Sequence, residues 1–203
     1  LISENRPEWF ISDLSIMLSG SITVPAYTTY AERDYEYIIN DCSPSVIFVS
    51  NTEQFNKVKN IIKSKKFIKK LFFFDDLENV NQNEYQNINK LFRDLNNLNN
   101  NLKTNINRND PACIIYTSGT QGNPKGVILS HGGILANCEG ALELLNPLIK
   151  KKDPVFLTWL PLSHSYEHAV QFIQILLGAK VFYAESLEKL ISNMSITKPT
   201  IMT

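Results

Sequence analysis

Short apolar runs alternate with stretches of helical periodicity along most of the chain. Val46–Val49 and Leu71–Phe74 are bounded by polar or turn residues, which is typical of buried strands. Between them, Asn51 or Thr52 opens a helix that extends to about Ser64. Strands that alternate with helices in this way predict an α/β fold with a mostly parallel sheet.

The chain before these strands follows the same alternation. Asn5 is expected to cap a first helix and Pro7 to occupy its first turn. Trp9 and the nearby tyrosines fit helical or strand periods, so we interpret them as packing residues. The expected elements are a helix from Asn5 to Gly20, a strand over Ile22–Tyr27, and a helix from Thr29 or Glu32 to Pro44.

The alternation resumes in the second half of the chain. The expected elements are a helix from His131 to Asn146–Pro147, a strand over Val155–Trp159, a helix opened by Ser163–His168, a strand over Ala179–Ala184, a helix over Glu185–Asn193, and a last fragment from Pro199. The apolar positions of the first two of these helices are Ile134, Leu135, Cys138, Ala141, Leu142 and Leu145, and Ala169, Phe172, Ile173, Leu176 and Leu177.

An Asn-rich segment over 79–109 interrupts the pattern. Leu91, Phe92 and Leu95 predict a short helix within it, but the rest offers little to bury. We therefore expect a mobile excursion from one domain spanning 1–203. Because the chain starts at Leu1 and stops on the opening of a strand, we expect both ends of that domain to be truncated.

Composition changes this picture little. Lys plus Arg and Asp plus Glu number 20 each among 203 residues, so no net field favours nucleic acid or anionic lipid. Cys42, Cys113 and Cys138 show no metal-site spacing and indicate free, buried thiols of a cytoplasmic protein. No apolar run approaches the roughly 20 residues of a transmembrane helix, although peripheral association with a membrane is compatible with the sequence.

The strongest chemical signal is the loop after the apolar run Cys113–Tyr116. Its glycines permit close backbone approach to a ligand, its hydroxyls add donors, and Lys125 supplies a charge for phosphate. The loop residues are Thr117, Ser118, Gly119, Thr120, Gln121, Gly122 and Lys125. It is not a Walker A loop, because Gly126 follows the lysine. An ordinary Gly-Ser-Thr-rich hairpin is the alternative, but this combination favours a phosphate loop.

Tyr116–Gly126 resembles the signature loop of the adenylate-forming synthetases, which include acyl-CoA synthetases, luciferases and peptide-synthetase adenylation domains. Ser130–Ala141 and Leu160–His168 look most like long-chain fatty-acid–CoA ligases. The resemblance covers the chain apart from the Asn-rich segment. One departure is Gln121, where the family usually has a second Thr.

The resemblance implies activation of a fatty acid by ATP through an acyl-adenylate, followed by transfer to CoA, with AMP and pyrophosphate released. It implies that Thr120 acts toward Mg²⁺, that Lys125 follows the β- and γ-phosphates, and that His164 lines the acyl pocket and shifts between the half-reactions. Lys125 and His164 are the expected catalytic residues. The adenine, ribose and CoA sites are expected beyond Thr203, so residues 1–203 alone should be inactive.

The sequence allows three other interpretations. His164 and His168 lie four residues apart with Glu167 between them, but the zinc-protease pattern is absent, so we do not expect a metal site there. Amino-acid-activating relatives resemble Phe-Asp-x-Ser where this chain has Pro-Leu-Ser-His, and no carboxylate stands here to pair an amino group. A non-catalytic nucleotide-binding protein stays open.

Overall fold

A computed structural model describes residues 1–76, 85–93, 104–117, 124–149 and 153–203. The helices are α1 Pro7–Leu18, α2 Glu32–Cys42, α3 Thr52–Ser64, α4 Ile88–Arg93, α5 His131–Ile149, α6 Ser165–Leu176 and α7 Leu190–Thr197. The strands are β1 Val46–Val49, β2 Lys70–Phe73, β3 Gln86–Asn87, β4 Pro111–Thr117, β5 Lys125–Ser130, β6 Val155–Thr158, β7 Lys180–Tyr183 and β8 Ile201–Met202.

The strands form three groups. One sheet has the order β1-β2-β3 and another the order β7-β6-β8, and all pairs in both are parallel. Strands β4 and β5 make an antiparallel pair. The predicted α/β class with mostly parallel strands is confirmed.

The β1–α3–β2 unit shows how local signals set this fold. Asn51 caps α3, because its side chain accepts a 3.0 Å hydrogen bond from the Gln54 backbone N–H. The apolar stripe of α3 then packs on the strands. The principal core cluster contains Ile2, Ala26, Tyr35, Ile39, Ile47, Val49, Phe55, Val58, Ile61, Leu71, Phe73 and Tyr85. These three predicted elements are confirmed within one residue at each end.

The predicted strand over Ile22–Tyr27 is wrong as a continuous element. This segment pairs at isolated points, with Thr23 bridging to Cys113 and Ala26 to Ile2. The Thr23 N–H donates to the carbonyl of Ala112 and its carbonyl accepts from the N–H of Ile114, at 3.1 and 2.9 Å. Because the two bridges lead to different partners, no regular ladder forms.

The expectation of a mobile excursion over 79–109 is wrong for residues 85–93. Strand β3 extends the sheet beside β2, and Tyr85 and Ile88 are buried. The Asn87 side chain donates to Asp76 at 2.8 Å, and that of Asn89 donates to the carbonyl of Phe74 at 3.0 Å. Asparagines here bond local polar groups, which composition alone does not reveal. Of the predicted short helix, Leu91 and Phe92 lie in α4 and Leu95 lies outside the described residues.

Several helix boundaries also differ. Helix α5 continues past the predicted stop at Asn146–Pro147 to Ile149, although an interior proline removes one hydrogen bond and crowds the carbonyl four residues earlier. Helix α7 starts at Leu190 rather than at Glu185, because the Glu185 N–H donates to the side chain of Asn193 at 3.1 Å. The three cysteines are free thiols, but Cys42 is only partly buried, which corrects one detail. No helix within the described ranges is long and apolar enough to cross a membrane.

Candidate functional site

The predicted phosphate loop connects the two strands of a β-hairpin. Thr117 ends β4 and Lys125 begins β5, and the two residues pair in the register of the strands. Both are exposed. Ser118, Gly119, Thr120, Gln121 and Gly122 lie outside the described residues. The ordinary hairpin and the phosphate loop are therefore not exclusive, because the candidate loop is carried by a hairpin.

A tight contact forms the base of this hairpin. The buried Tyr116 hydroxyl donates a 2.6 Å hydrogen bond to Oδ2 of Asp41 in α2, and burial together with this carboxylate raises the pKa of Tyr116 well above its usual range. Gly126 pairs with Tyr116, and a Cβ atom there would lie 2.8 Å from Cγ2 of Ile114 and 3.2 Å from Cζ of Tyr116. The strand pair can thus pack this closely only with glycine at 126.

The end of β5 passes directly into α5. Ser130 accepts a 3.1 Å hydrogen bond from the Gly133 N–H, and the His131 N–H donates to the carbonyl of Asp110 at 3.1 Å. The Gly132 N–H approaches the carbonyl of Arg108 at 2.6 Å, and a Cβ at 132 would lie 2.8 Å from that oxygen. His131 contributes its backbone N–H to this junction.

His164 lies where β6 passes into α6. It is the N-cap residue of α6, and its Nδ1 accepts a 3.2 Å hydrogen bond from the Tyr166 N–H. The side chain is exposed, and within the described part of the chain Nε2 has no protein partner. The carboxyl end of a parallel strand, followed by a helix start, is where open α/β sheets place ligands.

His168, one turn further along, occupies a different environment. Its Nε2 lies 2.7 Å from Oδ2 of Asp13 in α1, and both side chains are buried. Burial disfavours the charged imidazole, but the Asp13 carboxylate outweighs it and raises the pKa of His168 to about 10. Its Nδ1 lies 3.9 Å from Sγ of Cys113. His164 and His168 therefore face separate surroundings.

The buried face of α6 is polar, which the apolar pattern did not predict. The Tyr183 hydroxyl donates to Gln171 at 2.8 Å, Gln171 donates to Gln174 at 2.8 Å, and Gln174 donates to Thr158 at 3.1 Å. Glu167 is also buried, which raises its pKa. Two of the predicted apolar positions are exposed: Leu176 of α6 at 50% and Leu135 of α5 at 46%. Hydrogen bonds to β6 and β7 compensate the burial of Gln171 and Gln174, and Glu167 accepts a 3.0 Å hydrogen bond from the Thr203 hydroxyl.

A groove of about 870 Å³ runs between α5 and α6. Small residues on α5, including Gly133, Gly140 and Ala141, face apolar side chains of α6, including Phe172 and Ile173. Ser165, Tyr166 and His168 line the same groove, whereas His164 itself is not part of the lining. Most of its lining residues are apolar.

Residues beyond those predicted also contact the segment around His164. Asp13 stands at i+4 from Trp9 and i−4 from Met17, and all three side chains are buried. A carboxylate on the buried face of a helix indicates a buried polar partner. Asp13 is not among the residues singled out from the sequence, although its spacing from Trp9 and Met17 carries this signal. Asn5, expected to cap α1, instead bonds the backbone of Leu160 and Leu162. Arg6 is the N-cap residue and makes no side-chain cap bond.

The fold is that of the adenylate-forming enzymes. The structure superposes with a TM-score of 0.84 on an anthranilate CoA ligase in complex with anthranoyl-AMP, at 23% identity, over 99% of this chain and 38% of that one. A putative long-chain-fatty-acid CoA ligase from Rhodopseudomonas palustris gives 0.82 at 20% identity, over 99% and 48%. At these identities the likeness shows the fold alone.

The chain belongs to the AMP-binding enzyme family, which it matches over residues 1–203. It is 31% identical to long-chain-fatty-acid–CoA ligase 5 of Rattus norvegicus, over 99% of this chain and 31% of the relative. The chain therefore spans about a third of the length of that relative. The predicted family resemblance is confirmed.

Proposed function

We propose that the protein containing this chain activates a fatty acid with ATP and transfers the acyl group to CoA. The observation that carries the proposal is the family match along the whole chain, joined to a hairpin that sets Thr117 opposite Lys125 across the candidate phosphate loop. The names of the relatives, which are long-chain-fatty-acid–CoA ligases, support the substrate class. We also propose that 1–203 is part of a single AMP-binding domain.

The reaction takes place in two steps. A carboxylate oxygen of the fatty acid attacks the α-phosphorus of ATP, and the bond to pyrophosphate breaks, which leaves an acyl-adenylate. The CoA thiol then attacks the acyl carbon, the bond to AMP breaks, and the thiol proton is released. Negative charge develops on the departing pyrophosphate, so preorganised donors and cations near it lower the barrier.

Lys125 is proposed to bind the β- and γ-phosphates. It is exposed at the start of β5, and the flexible stem of a lysine lets its charge follow a phosphate. Thr117, Ser118, Gly119, Thr120, Gln121 and Gly122 are proposed to surround the phosphates with N–H and hydroxyl groups. We base the roles of the residues outside the described ranges on the sequence.

Mg²⁺ is proposed to enter with the nucleotide. Within the described ranges no group of three or more His, Cys, Asp or Glu side chains is arranged to hold a metal. Mg²⁺ in nucleotide enzymes is bound largely by phosphates and water with few protein ligands, so a single hydroxyl such as that of Thr120 fits this mode. When bound, the ion neutralises phosphate charge.

His164 and the groove between α5 and α6 are proposed to hold the acyl substrate. His164 keeps Nε2 free of protein partners within the described residues, and the two residues that follow it line the groove. The turn over Pro161–His164 carries no carboxylate, so a substrate with an α-amino group would find no counter-charge there. A fatty acid suits this apolar groove.

The test uses the full-length protein with MgATP. Pyrophosphate exchange is measured with saturated fatty acids of graded length, an aryl acid and an amino acid, and thioester formation is then measured with CoA. Exchange that depends on a fatty acid, with CoA-dependent AMP release, is the expected result. Preference for the amino or aryl acid would move the protein to another branch of the family, and ATP binding without exchange would make it non-catalytic.

A further inference from the structure

The turn that carries His164 is attached to the N-terminal segment of the chain at two points. The first is Asn5, whose side chain donates from Nδ2 to the carbonyl of Leu160 at 2.6 Å. Its Oδ1 accepts from the Leu162 N–H at 2.8 Å. One amide thus satisfies a donor and an acceptor on either side of Pro161, which has no N–H of its own.

This contact is transmitted directly to His164. The His164 N–H donates to the carbonyl of Pro161 at 2.9 Å, so the residue held between the two Asn5 bonds also sets the backbone of His164. Leu162 is 1% exposed and packs in a cluster with Trp9, Phe74 and Ile88. The turn therefore rests on a packed surface and on the amide of Asn5.

The second point lies one helical turn beyond His164. The Asp13 carboxylate holds His168 at 2.7 Å, and neither side chain is more than 2% exposed. The His168 ring also packs edge-on against Trp9, with ring centroids 5.6 Å apart. The His168 N–H donates to the carbonyl of His164 at 2.9 Å, which links this anchor to the same residue.

His164 thus lies between two anchors from one segment, while its own ring is exposed. We infer that Asn5 and Asp13 are positioning residues, which hold the His164 turn from both sides so that the imidazole meets the acyl substrate in one orientation. This inference rests on the proposed function for the role of His164. A misplacement of about 1 Å at such a site can cost on the order of 100-fold in rate.

The decisive variant is Asn5→Asp in the full-length protein. Aspartate keeps the size of asparagine and its acceptor but cannot donate to the carbonyl of Leu160, which leaves that oxygen unpaired. Asp13→Asn keeps a hydrogen-bonding group beside His168 and removes the charge. Asn60→Asp on α3 and Asp153→Asn, both at exposed positions, are the matched controls.

Two readouts separate positioning from general destabilisation. Hydrogen–deuterium exchange should rise in the peptide covering 160–168 of Asn5→Asp and stay unchanged in β1 and α3. For Asn5→Asp and Asp13→Asn, we expect kcat/KM for the fatty acid to fall roughly 10-fold, as for loss of one well-placed hydrogen bond. KM for ATP should stay within about threefold of the wild-type value in both variants. Both controls should behave as wild type.

A double variant completes the test. If Asn5 acts through His164, Asn5→Asp should cause little further loss of acyl activity in a His164→Ala background. The inference would be overturned if the activity losses of the two single variants multiplied in the double variant. Unchanged hydrogen–deuterium exchange in 160–168 of Asn5→Asp, or a rise in KM for ATP as large as the fall in acyl activity, would also overturn it. A wild-type protein that exchanges no pyrophosphate with any acid would refute the proposed function. Hydrogen–deuterium exchange of the 160–168 peptide would still decide whether Asn5 holds the turn.

Discussion

The hydroxyl of Tyr116 donates a 2.6 Å hydrogen bond to Asp41, a residue 75 positions earlier in the chain. Tyr116 precedes the first residue of the candidate phosphate loop, and Asp41 lies in the last turn of α2. The bond therefore ties the base of the β4–β5 hairpin to a helix of the first sheet unit. It is charge-assisted, and such bonds are stronger than neutral ones.

Tyr116→Phe should loosen this base without emptying the core. Because Asp41 is exposed and can be rehydrated, we expect the free energy of unfolding to fall by only about 1 kcal/mol. KM for ATP should rise more than KM for the fatty acid. Tyr37→Phe on α2 is the control, since its hydroxyl has no hydrogen-bond partner within the described residues. Equal changes in both Michaelis constants would show that Tyr116 does not support the phosphate loop in particular.

Lys125→Ala tests the phosphate assignment itself. Removing a charge-assisted contact worth about 1.5–3 kcal/mol should lower adenylation roughly 10- to 150-fold. Pyrophosphate exchange of the full-length variant gives the measurement. Lys63→Ala, which removes the same charge from an exposed position on α3, should have no effect. Wild-type exchange in Lys125→Ala would refute a role for this lysine at the phosphates.

His164→Ala should impair the acyl substrate more than the nucleotide. His164 lies at the end of β6, whereas Thr117 and Lys125 flank the loop of the β4–β5 hairpin, so the two contacts are on different elements. Calorimetric titration with ATP, without fatty acid, should give an affinity within about threefold of wild type, because a threefold change is less than the roughly 1 kcal/mol of one neutral hydrogen bond. A matched loss of ATP affinity would contradict the assignment to the acyl pocket.

The ion pair of His168 predicts a pH dependence of stability. Asp13 raises the pKa of His168 to about 10, above the ordinary value of 6.5, even though burial opposes the charge. The groups facing the ring are Asp13 of α1 and the Cys113 thiol of β4. The stabilising contribution is thus complete below pH 6.5 and is lost as pH rises through about 10.

The measurement compares wild type with His168→Gln, which keeps a donor for Asp13 and does not titrate. The difference between their thermal unfolding midpoints should be largest near pH 6 and shrink steadily toward about pH 10. Lysines and tyrosines titrate in the same pH range, but their contribution is the same in both proteins and cancels in the difference. A gap that stays constant with pH would mean that His168 is neutral in the folded protein.

Sequence reasoning succeeded where signals are local. The strand Val46–Val49 appears as predicted, and Asn51, one of the two residues expected to open α3, caps that helix. Both features depend on residues next to them. The residue types predict the phosphate loop, and the two apolar runs around it are consistent with the hairpin that carries it. Its internal contacts lie outside the described residues, so Ser118–Gly122 stay predictions.

Long-range polar contacts defeated the same reasoning. Asn5 precedes a helix and Pro7, which favours a cap, yet its amide bonds a backbone 155 residues away. Gln171 and Gln174 interrupt an apolar pattern, yet they are buried because Thr158 and Tyr183 supply partners from other strands. Periodicity reports which face of a helix is apolar, whereas polar burial depends on partners that only the fold brings together.

Gly126 gives the last prediction. A methyl group at 126 would lie 2.8 Å from Cγ2 of Ile114, an atom on a branched and stiff side chain, so the hairpin must shift. Gly126→Ala should therefore lower stability by about 1–3 kcal/mol, in the range of overpacking, and raise KM for ATP. Gly140→Ala in α5 is the control: its added methyl group meets nothing within 4 Å, so the free energy of unfolding should stay unchanged or rise by up to about 1 kcal/mol.

A double variant tests the cause of the Gly126→Ala effect. Adding Ile114→Ala to Gly126→Ala removes the clashing atom, so the two changes should be strongly non-additive in chemical denaturation. Simple addition, or a Gly126→Ala protein as stable as wild type, would show that the hairpin does not need glycine there.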